Sequence, residues 1–131
     1  EVDECLIGIK HKLSKKSISL PVSAPFHCQL MKPAAEEIKE LIMSLSMKNP
    51  LIPIVSNVTA EAVTQAEEVK QLLIQQIYKR VRWREIIEYM FKNSNDSFLE
   101  IGPGKALSGM LKRFKKEIEI KNYNNREDLE L

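Results

Sequence analysis

Phe98-Leu99-Glu100-Ile101-Gly102-Pro103-Gly104-Lys105-Ala106-Leu107-Ser108-Gly109-Met110-Leu111 is the stretch on which the fold turns. Its first four residues read as a short strand. Gly102-Pro103-Gly104 breaks the pattern. Leu107, Met110, Leu111 and Phe114 then recur at helical spacing. Ile118 and Ile120 predict a returning strand, and strand, turn, helix and strand together make a unit of an α/β layer with parallel strands. The tail from Asn122 is polar and is expected to fray.

Moving outward, Trp83, Ile86, Ile87, Met90 and Phe91 predict a helix, with Trp83 in the core. Another is predicted over 66–79, with Val69, Leu72, Leu73, Gln76 and Ile77 on one face. Leu51-Ile52-Pro53-Ile54-Val55 reads as a short strand covered on both faces, which Pro53 pushes toward an edge. Residues 29–46 carry a further helix, striped by Met31, Ala34, Ala35, Ile38, Leu41, Ile42 and Leu45, with Pro33 in its first turn. Ile18, Leu20 and Val22 alternate with Ser17, Ser19 and Pro21, as in a strand, and 1–13 reads as an amphipathic helix. Three or four short strands make a thin sheet, from which a part is missing.

Composition bounds the function. The 131 residues suit one domain. Twenty basic and 18 acidic residues leave a formal net charge of +2, which gives no electrostatic case for nucleic-acid binding. No apolar run approaches the roughly 20 residues of a membrane span. Cys5 and Cys28 are too few for a disulfide scaffold, so a cytoplasmic location is the expectation. The four glycines, Gly8, Gly102, Gly104 and Gly109, leave little room for a nucleotide cradle or a nucleophile elbow.

Among residues able to do chemistry, His27 stands out, because it falls in a loop between a predicted strand and a predicted helix. It reads either as a general base or as a hydrogen-bonded loop histidine. Gln76 lies on an apolar stripe, so its amide either finds buried partners or reaches out to water. Gly102-Pro103-Gly104-Lys105 joins a strand to a helix but lacks the spacing and hydroxyl of a phosphate loop, and reads as a structural turn. Cys28 neighbours His27, yet adjacent side chains in an extended segment point apart. Cys5, His11, His27 and Cys28 have no metal-site spacing, and no metal is expected. His11 falls outside the first helix's apolar stripe and reads as solvated.

Several stretches taken together resemble the malonyl-CoA:acyl carrier protein transacylase family. They are Leu20-Pro21-Val22-Ser23-Ala24-Pro25-Phe26-His27-Cys28-Gln29-Leu30-Met31-Lys32-Pro33-Ala34, Pro53-Ile54-Val55-Ser56-Asn57-Val58, Gln76-Ile77-Tyr78, Val81-Arg82-Trp83 and Glu100-Ile101-Gly102-Pro103-Gly104-Lys105-Ala106-Leu107-Ser108-Gly109. Their order and spacing, from about Ser17 to Phe114, carry the resemblance. Arg80 stands where the family often has proline.

The resemblance implies that His27 is the catalytic histidine and that the Gln76 main-chain carbonyl orients it. It implies a C-terminal fragment of an α/β-hydrolase-like acyltransferase domain plus the tail of a ferredoxin-like small subdomain. Residues 1–48 would belong to the small subdomain, 49–121 to the large domain, and 122–131 to a polar tail. The substrates implied are malonyl-CoA and acyl carrier protein, in fatty-acid biosynthesis. Coenzyme A and phosphopantetheine serve there as substrate carriers, and no separate cofactor is implied. The family's Gly-His-Ser-x-Gly nucleophile elbow, its carboxylate-binding arginine and part of its oxyanion hole precede the matched region, and no Gly-x-Ser-x-Gly occurs here. The chain alone is therefore expected to be inactive, completed by a missing N-terminal half. Alternatively it is an inactive remnant that self-associates through its exposed sheet, or an acyl-carrier-protein interaction module using Lys112, Arg113, Lys115 and Lys116.

Overall fold

The strand, turn and helix expected over 98–114 are present, and the chain returns in a strand parallel to the first. The computed structural model describes residues 2–13 and 23–129, with the backbone alone at 2, 3, 10–13 and 129. In order, its elements are α1 (Val2–Leu13), α2 (Lys32–Ser44), β1 (Ile54–Val55), β2 (Ala62–Val63), α3 (Ala66–Gln75), α4 (Trp83–Lys92), β3 (Ser97–Ile101), α5 (Ala106–Phe114) and β4 (Glu119–Tyr123). Single 3-10 turns lie at Gln29–Met31 and Glu127–Leu129. The strand expected over 18–22 and the side chain of His11 lie outside the described residues.

β3 and β4 pair in parallel from Ser97 opposite Glu119 to Ile101 opposite Tyr123. Phe98 and Glu100 point into the molecule, while Leu99 and Ile101 alternate outward. Behind the pair, Ile86, Ile87 and Leu111 form the buried core with Ala60, joined by Trp83, Met90, Phe98, Ile118 and Ile120. Phe91 meets Phe98 edge to face at 5.8 Å.

Glu100 ties this unit together. Its carboxylate accepts from the Leu107 and Ser108 N–H groups at 3.0 and 2.9 Å, in the first turn of α5, where N–H groups lack helical partners. It also accepts from the Ser108 hydroxyl and, at 2.9 Å, from the Asn122 amide on β4. The Ser108 hydroxyl, then the Ser108 N–H, the Leu107 N–H and the Asn122 amide hold the Glu100 carboxyl below the usual carboxylate value.

Four expectations are corrected. The 51–55 segment is a strand only at Ile54–Val55, it pairs antiparallel with β2, and Leu51 is fully exposed (102%) rather than covered on both faces. Pro53, with no N–H to donate, ends the ladder. The helix expected over 29–46 begins as a 3-10 turn and becomes α-helical at Lys32, ahead of Pro33. The helix over 66–79 stops at Gln75. The tail does not fray at Asn122: Asn122 and Tyr123 complete β4, and the Asp128 carboxylate accepts from the Asn124 and Asn125 N–H groups.

Outward-facing Leu99 and Ile101 are 52% and 73% exposed on a parallel pair, a kind of sheet that proteins cover on both faces.

Because folding depresses the Glu100 carboxyl, its stabilising effect is present above the unfolded carboxylate value of about 4.3 and is lost as pH falls through the lower folded value. Urea titrations of the wild type are expected to show a midpoint that falls on acidification below about pH 4.3. Glu100→Gln should lower the neutral-pH midpoint and flatten that acid decline, and an unchanged decline would refute the assignment.

Candidate active site

α3 ends where its sequence pattern would let it continue, and the site is built on that end. The carbonyls of Gln76 and Ile77 have no intrahelical donor there. Both are taken by one residue. The His27 main-chain N–H donates to the Ile77 carbonyl at 3.1 Å, and His27 Nδ1 lies 2.7 Å from the Gln76 carbonyl. A carbonyl can only accept, so Nδ1 carries the hydrogen. In the neutral ring Nε2 is then left with its lone pair free to accept a proton.

His27 sits at φ +60°, in the left-handed region, at a cost of roughly 1–2 kcal/mol for a side chain with a Cβ. The two hydrogen bonds to consecutive carbonyls hold it there. Neighbouring Cys28 is turned away, its thiol donating to the Pro25 carbonyl at 3.1 Å, so the structure does not bring the two together. His27 itself is exposed.

The support behind the pair runs through residues that the sequence reading left without a role. The Asn57 amide reaches the Gln76 side-chain oxygen at 3.4 Å, and the Asn57 carbonyl accepts from the Arg82 N–H at 3.0 Å. Arg82 also donates from Nη1 to the Thr59 carbonyl at 2.8 Å and from Nε to Glu85 at 3.2 Å. Arg80 meets the same Glu85 oxygen at 3.2 Å. The Glu85 main-chain N–H and Arg82 keep that carboxyl below its usual value, so it stays ionised. The run Lys79-Arg80-Val81-Arg82 was the available signal, with three cations in four residues.

An open cleft of 500 Å³ joins His27 and Cys28 to Tyr78, Lys79, Arg80 and Arg82. The other sequence candidates lie elsewhere. Gly102-Pro103-Gly104 uses positive φ at both glycines, +132° and +91°. Its Gly104 N–H is taken by Asn124 at 3.0 Å, and the following helix end is occupied by Glu100, which makes it a structural turn. Lys112 and Arg113 close α5, where cations suit the negative helix end, and Lys115 lies 5.8 Å over the Phe91 ring. Among the described residues no three His, Cys, Asp or Glu side chains cluster as a metal site, and no helix is long and apolar enough to cross a membrane.

The fold is α/β and matches the malonyltransferase fold at its C-terminal part. It superposes on an acyl carrier protein S-malonyltransferase from Vibrio cholerae with a TM-score of 0.85 and 38% identity, over 98% of this chain and 42% of that one. A second solved structure, a type II PKS acyl-carrier protein in complex with its malonyl-transacylase, matches at 33% identity and a TM-score of 0.85, over 98% of this chain and 41% of that one. In sequence the chain is 39% identical over 122 residues to the malonyl CoA-acyl carrier protein transacylase of Bacillus subtilis (strain 168), covering 93% of this chain and 38% of the relative. No protein-family model matches. The chain is thus homologous to one part of the malonyl-CoA:acyl carrier protein transacylases and spans 32–42% of the length of the curated relatives it matches.

The acceptor for His27 is a main-chain carbonyl, which a side-chain substitution leaves in place. Gln76→Ala is therefore expected to preserve the Nδ1-protonated ring, read from the imidazole ¹⁵N shifts. A switch to the Nε2-protonated form would show that the Gln76 side chain, rather than the carbonyl, sets the ring.

Proposed function

We propose that the chain supplies the general base of a malonyl-CoA:acyl carrier protein transacylase, with His27 as base and the Gln76 carbonyl as the group that orients it. The observation that carries this reading is the 2.7 Å contact from His27 Nδ1 to the Gln76 carbonyl, at an exposed histidine that lines an open cleft. The arrangement does what a buried aspartate does for the histidine of a Ser-His-Asp triad. Identity of 39% to the Bacillus subtilis enzyme supplies the substrates, malonyl-CoA and acyl carrier protein.

In this reading the nucleophile is a serine on the part of the fold that this sequence does not span. His27 Nε2 takes the serine proton as the oxygen attacks the malonyl thioester, and the imidazolium returns that proton to the departing coenzyme A thiolate. The acyl-enzyme is opened in the same way by the pantetheine thiol of acyl carrier protein, with backbone N–H groups meeting each oxyanion. Coenzyme A and phosphopantetheine act as substrate carriers. The reading includes a cytoplasmic location, residues 1–48 in a small ferredoxin-like subdomain and 49–121 in the large one.

The test is complementation. The 131-residue chain is mixed with a polypeptide covering the part of the Bacillus subtilis enzyme that it does not match, and malonyl transfer is followed by mass spectrometry. The chain alone is expected to give no malonyl-serine and the mixture to give it. His27→Ala should lower the mixture's rate by about a hundred- to ten-thousand-fold. Equal rates with His27→Ala would overturn the role of His27.

The exposed apolar face of β3 favours a second reading, in which the chain is inactive and associates with copies of itself. Light scattering on the chain alone separates the two: a monomer that becomes a one-to-one complex with the complementing polypeptide dismisses self-association, and a stable homo-oligomer that ignores it supports it.

A further inference from the structure

The cleft beside His27 carries an unbalanced charge. Among its lining residues Lys79, Arg80 and Arg82 are cationic, and none is acidic. The Lys79 ammonium donates to the neutral Gln75 amide oxygen at 2.8 Å, so its charge is uncompensated by that partner. Arg80 and Arg82 share a single carboxylate oxygen of Glu85, each at 3.2 Å, which neutralises one guanidinium and leaves the other in excess. The Arg80 side chain is 78% exposed and spends one Nη2 contact on Glu85, so its remaining donors face solvent at the mouth of the cleft. Arg82, which also lines the cleft, donates to the Thr59 carbonyl at 2.8 Å.

The geometry points to an anion site on this rim, formed by Lys79 and Arg80 beside Arg82, that takes the phosphate of the carrier whose thioester reaches His27. A guanidinium with free paired donors suits the fork geometry of a phosphate, and an ammonium adds a point charge beside it. The pantetheine arm is a long flexible chain between its thiol and its phosphate. A carrier with its sulfur at the ring would carry its phosphate away from His27, and the exposed cations Lys79 and Arg80 line the same cleft. The choice of carrier phosphate rests on the function proposed above, whereas the anion site itself rests on the charges.

The probe is pyrophosphate, titrated into the 131-residue chain while backbone amide resonances are followed. Saturable shifts are expected at Lys79, Arg80 and His27. The double variant Lys79→Glu, Arg80→Glu should weaken binding by at least about tenfold, and the milder Arg80→Gln should weaken it less while keeping the wild-type spectrum elsewhere. Coenzyme A should shift the same amides and phosphate-free pantetheine should not. Three results would each overturn the site: no saturation, equal binding by the charge-reversed variant, or shifts confined to Lys112–Lys116. Binding of pyrophosphate without binding of coenzyme A would keep the anion site and remove its link to the carrier. Loss of malonyl transfer in the complementation experiment would leave the titration unaffected, so the two readings fail separately.

Discussion

A helix that stops leaves carbonyls with nothing inside it to bond, and in this chain the end of α3 is where the histidine is held. Gln76 and Ile77 present consecutive acceptors, and His27 meets them with its ring and its main-chain N–H. The two bonds offset the cost of the left-handed backbone at His27. Had α3 run on through Val81, the N–H groups of later residues would have consumed those carbonyls. The ring would then have lost both its anchor and the reason for its tautomer. The Asn57 amide and the Arg82 clasp on the 57–59 loop brace this helix end from the opposite side.

The second constraint is the one-sided sheet. β3 and β4 cover the core with Phe98 and Ile120, and Glu100 links β3 to α5 and β4 in one hydrogen-bonded cluster. The outer faces of the two strands differ. β4 shows Glu119 and Lys121, paired at 3.8 Å, as suits a sheet edge kept from further pairing. β3 shows Leu99 and Ile101, as suits a strand with more sheet beside it and a layer over it. The exposure of Leu99 and Ile101 stands beside the 38% coverage of the Bacillus subtilis relative.

What was legible in the sequence was what local chemistry decides. The βαβ unit followed from apolar spacing broken by Gly102-Pro103-Gly104, and the place of Trp83 against the core followed from its position at the head of a stripe. The early stop of α3 was not legible, because Ile77 extends the apolar stripe and the residue that takes the freed carbonyl of Gln76, His27, lies 49 residues away. The antiparallel partner of β1 was missed because β2 is two residues long and carries no periodicity. The extension of β4 was missed because Asn122 looks like a tail residue until Glu100 and Ser108 are found to be its partners. Position alone favours a bland hydrogen-bonded loop histidine at His27, and family resemblance rather than spacing raises it to a candidate base.

The function proposed above divides the site between this chain and the remainder of the fold, and that division has a physical consequence. His27, the Gln76 carbonyl it bonds and the Asn57 amide that meets the Gln76 side chain all lie within these 131 residues. The ring's tautomer is therefore set before any nucleophile approaches, and the ordering of the imidazole belongs to folding of this chain rather than to assembly. In that reading, what assembly adds is a hydroxyl within hydrogen-bond reach of Nε2 and a cover for Leu99 and Ile101. These are separable requirements. Covering the apolar face supplies affinity without chemistry, while the hydroxyl supplies chemistry and little affinity, so a partner could satisfy the first and leave His27 idle.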